Sequence, residues 1–232
     1  MLDVTCGLIV VGVIMSYMGA QRSLRWWYRQ HSIRLHHEAE AIRNDLLQRL
    51  FVMRRSLESG QPEAIQQSIS QVDHLYESLH GLSDRLSAFD LEDDLGLALH
   101  HLVEAWRDRW HSQAKTQNLD FTAELPKTAI HLPIEQHRLT LVATDEFLRI
   151  TAANLLTPQV IFVSLSFNSH TYELKVKVDD PQVNKLQGSD DLKHLTQALR
   201  FLSGGQCSCH SHDESLTWQF RSTLTKSQRQ GQ

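Results

Sequence analysis

Hydrophobic positions along this chain fall into three successive patterns, and the first is a continuous run. Residues 4–20 read VTCGLIVVGVIMSYMGA without a charge, and roughly 17 residues at ~1.5 Å each is near the lower limit for crossing a bilayer. Arg22, Arg25 and Arg29 come next, interleaved with Trp26, Trp27 and Tyr28, the composition of a cytoplasmic membrane interface. The pattern predicts a transmembrane anchor over 1–21, with lipid contacts through 1–29. It places the chain as a single-pass protein of the inner or plasma membrane with its C-terminal part in the cytoplasm. The positive charges come after the apolar run instead of preceding it, which argues against a cleaved signal peptide.

The second pattern repeats every three or four residues. Leu35, Ala39, Ile42, Leu46, Leu50, Met53 and Leu57 form one stripe on a helix over 33–58. Ser59-Gly60-Gln61-Pro62 then supplies a helix stop and a start. Ile65, Ile69, Val72, Tyr76, Leu79, Leu82, Leu86 and Phe89 repeat the spacing on a second helix. Two helices alone bury such seams poorly. The expectation for 22–90 is a juxtamembrane segment and a helical hairpin that dimerises into a four-helix bundle, with Ile42, Leu46, Leu50 and Met53 in the seam.

The third pattern mixes periods over 91–225. A helix over 95–114 begins after the acidic Glu92-Asp93-Asp94, which suits a helix N-terminus. A strand over 119–125 is ended by Pro126. A helix over 134–156, strands over 160–167 and 172–178, a helix over 188–202 and a closing hairpin of 206–210 with 216–224 complete the series. The class is α+β, a helical bundle joined to an α/β sandwich. Residues 226–232 are polar and read as a disordered tail.

Composition changes this picture little. Of 232 residues 41% are hydrophobic, enough for a sizeable core, and a net charge of -4 argues against nucleic acid as the partner. Three cysteines do not make a secreted disulfide framework, and a reducing compartment is the simpler reading. Cys207, Cys209, His210 and His212 supply thiols and imidazoles of the kind zinc takes. All four lie within six residues on a strand and its turn, and alternation puts the cysteines on one face and His210 on the other. No metal is expected. Of the 14 histidines, the pairs His36-His37 and His100-His101 read as solvated helix positions.

Three segments carry a resemblance. They are Ala41-Ile42-Arg43-Asn44-Asp45-Leu46-Leu47-Gln48-Arg49-Leu50-Phe51, then Leu91-Glu92-Asp93-Asp94-Leu95-Gly96-Leu97-Ala98-Leu99, and Glu146-Phe147-Leu148-Arg149-Ile150-Thr151-Ala152-Ala153-Asn154-Leu155. In this order and spacing they resemble the sensor histidine kinases of the nitrate-sensor and lipid-desaturase-sensor type. The first looks like that family's phosphoacceptor helix, the second like its entry to the ATPase-like domain, and the third like its magnesium-binding helix. The resemblance implies a dimerising hairpin followed by an ATP-binding α/β sandwich.

The departures from the family pattern fall on its chemistry. Arg43 and Asn44 stand where the resemblance puts the phosphoacceptor His and its neighbouring Asp. A guanidinium stays protonated and cannot be the nucleophile, and an amide cannot be the base. Ile150 stands where the family has the Asn that holds magnesium, and it has no oxygen for a hard cation. Asp179 matches the adenine-recognising carboxylate, but Pro181 and Val183 replace the permissive glycines beyond it. The later Gly-rich lid is reduced to Gly188. A pseudokinase is expected, with no cofactor, acting on a response regulator or a related histidine kinase. Gln48 matches the residue with which dephosphorylating members orient a water. The rival readings are a phosphatase acting through Gln48, an active kinase with ATP, magnesium and a phosphoacceptor moved to His36 or His37, and a metal-binding regulator using Cys207, Cys209, His210 and His212.

Overall fold

The computed structural model describes residues 2–58, 69–70, 72–73, 75–76, 79, 94–112, 119–155, 158–168 and 170–223. The chain divides into two compact units, one of Met1–Trp27 with Phe89–Gln232 and one of Tyr28–Ala88. Helix α1 runs Leu2–Glu58. The turn at 59–62 and the tail at 226–232 lie outside the described residues, as does most of the second hairpin helix, whose described positions are helical.

The α/β unit is built from α2 (Leu95–Ser112), β1 (Asp120–Glu124), α3 (Ile134–Asn154), β2 (Val160–Asn168), β3 (Thr171–Asp179), α4 (Val183–Gly188), α5 (Asp190–Ser203), β4 (Gln206–His212) and β5 (Ser215–Thr223). Five strands form one sheet in the order β1-β2-β3-β5-β4. The β1–β2 pair is parallel and the other three are antiparallel. A parallel pair needs a crossover, and α3 lies in that connection.

Alternation sets the faces of the sheet. In β3 Tyr172, Leu174, Val176 and Val178 are buried while the residues between them are half-buried, and Leu216, Trp218 and Phe220 repeat this in β5. The buried face meets the helices. Phe147 of α3 stacks on Trp218 with centroids 5.1 Å apart, and Tyr172 meets Phe220 edge-on at 5.7 Å. From α5, Leu192, Leu195, Ala198 and Leu199 are buried. Asp94 starts α2, its Oδ1 accepting from Gly96 N at 2.9 Å and Ile130 N at 3.0 Å, so one carboxylate caps a helix and ties down the loop before α3. Gly204 ends α5 at φ 61, a left-handed conformation that glycine adopts without strain.

The sheet's two edge strands carry the same device. In β1 the carbonyl of Phe121 accepts from Arg107 of α2, at 3.2 Å from Nε and 2.8 Å from Nη2. In β4 the carbonyl of Cys207 accepts from Arg200 Nε of α5 at 2.5 Å. Each edge has a guanidinium seated on its backbone.

One expectation is overturned. Among the described residues no helix is long and apolar enough to cross a membrane. This contradicts the transmembrane anchor at 1–21, and with it the placement as a single-pass membrane protein. The uncharged run of residues 4–20 rises only about 26 Å against a hydrocarbon core of ~30 Å. Gly12, Ser16 and Gly19 dilute that stretch, and Arg22 ends it. Two of the residues assigned to the lipid interface, Trp26 and Trp27, pack against the core of the α/β unit, and Ser23 is buried beside them, while Arg22, Arg25, Tyr28 and Arg29 are exposed.

Candidate functional site

Helix α3 buries Ile150, the residue that the resemblance sets against the family's magnesium-binding Asn. Ile150 is 1% exposed, in the cluster that includes Phe147, Val183, Leu186, Leu192 and Leu195. Val183, one of the two positions where the resemblance puts a glycine, and Leu186 come from α4, and both are fully buried. The Ile150 side chain itself has no ligand to offer a hard cation.

The end of β3 separates two adjacent carboxylates. Asp179 shares a face with Lys177, receives Lys177 Nζ at 2.9 Å and accepts a short hydrogen bond from Ser215 Oγ. These residues, with Thr217 and the turn residues His212, Asp213 and Glu214, line an open cleft. Asp180 is the buried one, at 5% exposure. Its Oδ1 accepts from Gln182 N at 2.6 Å, and its own N–H donates to Glu214 O at 2.9 Å. The signal for this was in the alternation: Leu174, Val176 and Val178 point inward, so two residues on it is Asp180 that shares their face. Pro181 is exposed.

Helix α5 begins with Asp190 and Asp191. A hydrogen bond from Lys193, with its charge, holds the exposed Asp190 carboxyl below its usual range. Two carboxylates in a first helical turn are favourable to the helix dipole, and they repel an approaching phosphate. Sequence reasoning missed the environment of Arg149. Its Nε donates to Glu146 Oε2 at 2.9 Å and its Nη2 makes a short bond to Oε1, while Glu146 itself is buried. The hydrogen bond with Glu146 raises the guanidinium's pKa, burial opposes the rise, and the charges of Glu146, Asp191 and Asp145 add to it. Arg149 also lines a cleft of about 200 Å³ with Trp106, Arg109, Trp110, Ala152 and Ala153. The Trp106 indole donates to Asp145 at 2.8 Å and lies under the Arg109 guanidinium at 5.0 Å.

In the other unit, the positions of the phosphoacceptor segment lie on α1. His37, Arg43, Asn44 and Gln48 are exposed. Arg43 pairs with Glu40 at 3.2 Å, and His36 lies 3.9 Å from Glu40. Asn44 and Gln48 are four residues apart, which puts them on one helix face. Of the seam, Ile42, Leu46 and Met53 are half-buried and Leu50 is 47% exposed.

The cysteine segment forms β4. Among the described residues no group of three or more His, Cys, Asp or Glu side chains could hold a metal ion. Cys207 is buried, whereas His212 is exposed and pairs with Asp213 at 2.8 Å. Burial pushes the Cys207 thiol up to about 12 and the Cys209 thiol up to about 11, from 9.0. In a Cys6→Ser variant, which leaves two thiols, native protein at pH 8 is expected to resist a thiol-selective disulfide reagent and to react on adding denaturant. Because the folded values are raised, the stability they contribute is present below about pH 9 and is lost as pH climbs toward 11 and 12, so alkaline unfolding accompanies the reaction. Fast reaction of the folded chain at pH 8 would contradict this.

No family model matches the chain, and no curated protein matches it. Among solved structures it is similar to the histidine kinase AdeS of Acinetobacter baumannii, at 12% identity over 78% of this chain and 98% of that one, with a TM-score of 0.45. It is also similar to the histidine kinase domain of the blue-light activated histidine kinase of Erythrobacter litoralis EL346, at 13% identity over 75% and 96%, with a TM-score of 0.45. A third likeness is to the catalytic domain of the histidine kinase ThkA, at 12% identity over 56% and 95%, with a TM-score of 0.41. At these identities and TM-scores the likenesses carry no argument of their own.

Proposed function

We propose that this chain is a histidine-kinase-like signalling protein that has lost nucleotide chemistry and works by binding a response regulator or a partner histidine kinase, as a homodimer through Ile42, Leu46, Leu50 and Met53. The observation that carries this reading is the apolar filling at the nucleotide position. Ile150 and Val183, where the family resemblance asks for an oxygen ligand and open glycine backbone, are 1% and 0% exposed, and Leu186 on the same short helix as Val183 is 0% exposed. The acidic start of α5 supports it electrostatically. The exposed face of Asn44 and Gln48 is accessible to a partner on the signalling side of the same reading.

The test is a thermal titration of the full chain with magnesium and ATP. A ligand at 100 times its Kd would stabilise the folded state by about 2.7 kcal/mol, a shift of roughly 5–10 °C for a domain of this size. No shift at millimolar ATP is expected. A magnesium-dependent rise in Tm would overturn the proposal and bring back the active-kinase reading with His36 and His37.

A further inference from the structure

Within the α/β unit, the N-terminal part of α1 meets α5 through a small set of specific contacts. Gly19, Ser23 and Trp26 are four and three residues apart, on one face of α1. Asp191, His194 and Gln197 are three apart on α5, off the face that buries Leu192, Leu195, Ala198 and Leu199. Ser23 is fully buried, with Oγ 2.7 Å from Gln197 Oε1, 3.1 Å from His194 Nδ1 and 3.1 Å from Gly19 O. A hydroxyl has one proton to give. With that proton on the Gln197 oxygen, Ser23 accepts from His194, which therefore carries its proton on Nδ1. The Trp26 ring stacks on His194 at 5.8 Å and 27°, and its Nε1 donates to Asp191 Oδ1 at 2.7 Å.

The two sides differ in what separation would cost. On α5 every group in the contact is polar, and water can replace each hydrogen bond that the strap supplies. Leu192, Leu195, Ala198 and Leu199 are the buried residues of α5, and the partly buried Trp26 and Trp27 pack against the core cluster from the strap side. On α1 small residues sit at the crossing: a Cβ added at Gly19 would meet only the tip of Gln197, at 3.9 Å. The largest apolar group that would be uncovered is the indole of Trp26, with Trp27 beside it. A contact of this kind is specific in geometry, and its separation bares only the core surface that the two partly buried indoles cover.

We propose that residues 19–27 are a detachable strap on α5, which masks the Asp191–His194–Gln197 face while seated and uncovers it when lifted. That the uncovered face then serves a partner rests on the proposed function; the strap itself does not. Amide hydrogen exchange on the full chain tests it. With Ser23→Leu, exchange over residues 19–27 is expected to speed up at least about tenfold while β2, β3 and β5 keep their protection. Trp26→Phe keeps the ring and loses the bond to Asp191, and an increase of about threefold over the same residues is expected. Unchanged exchange at 19–27 in both variants would overturn the proposal, because the contact would not be holding the segment. Loss of protection in the sheet with Trp26→Phe would overturn it too, because the segment would then be part of the core. A nucleotide-induced stabilisation would sink the proposed function and leave this result standing.

Discussion

Trp218→Ala is expected to lower the stability of the α/β unit by about 4 kcal/mol, seen as a fall in Tm of roughly 10 °C in a circular dichroism melt. Trp218 is fully buried on β5, with Cys209 opposite it in β4 and Val176 opposite it in β3. Its ring stacks on Phe147, itself fully buried. Truncation would remove one contact through which the sheet meets α3, and leave a cavity that helices on one side and strands on the other cannot collapse to fill. A fall of under about 3 °C would mean that the packing here is looser than the stack implies.

Ile150→Asn restores the residue type that the family resemblance expects at the magnesium position, and it is expected to harm the protein without restoring the chemistry. The side chain would enter an apolar cluster at 1% exposure, losing the transfer energy of the isoleucine and burying an amide, together about 3 kcal/mol. Denaturant unfolding should show the loss as a lower midpoint, and a magnesium–ATP titration of the variant should show no recovery. Tolerance of the substitution with gain of nucleotide binding would mean that Val183 and Leu186 swing aside, and that this core is a closed pocket.

Sequence alone carried the α/β unit well because its elements differ in period. The alternation in 172–178 and 216–224 and the three-to-four spacing around Leu192, Leu195 and Leu199 each match a structural element within a few residues. The short helix Val183–Gly188 was not legible, since six residues are too few to show a period. The transmembrane expectation was a matter of local composition: an uncharged run reads alike whether lipid or protein covers the aromatic residues next to it. Trp26 shows the ambiguity, because an indole with one polar edge suits a headgroup layer and equally suits a stack on His194 with a bond to Asp191. Long-range partners of this kind, 165 residues apart in the chain, leave no periodic trace. In the candidate site, the departures at Ile150 and Pro181 are read from the resemblance alone, and for these two the structure adds only that Ile150 is buried and Pro181 exposed. The burial of Val183 and Leu186 on α4 and the inward turn of Asp180 had to be seen in three dimensions.

The arginines on the two outer strands bear on how the molecule behaves in a crowd. Sheets recruit one another by offering free backbone at their margins, and fibre growth begins when two such margins meet. Here any newcomer would first have to displace Arg107 from Phe121 or Arg200 from Cys207. At one carbonyl of each outer strand the backbone is already engaged, so a strand added there would have to dislodge a cation before it could pair.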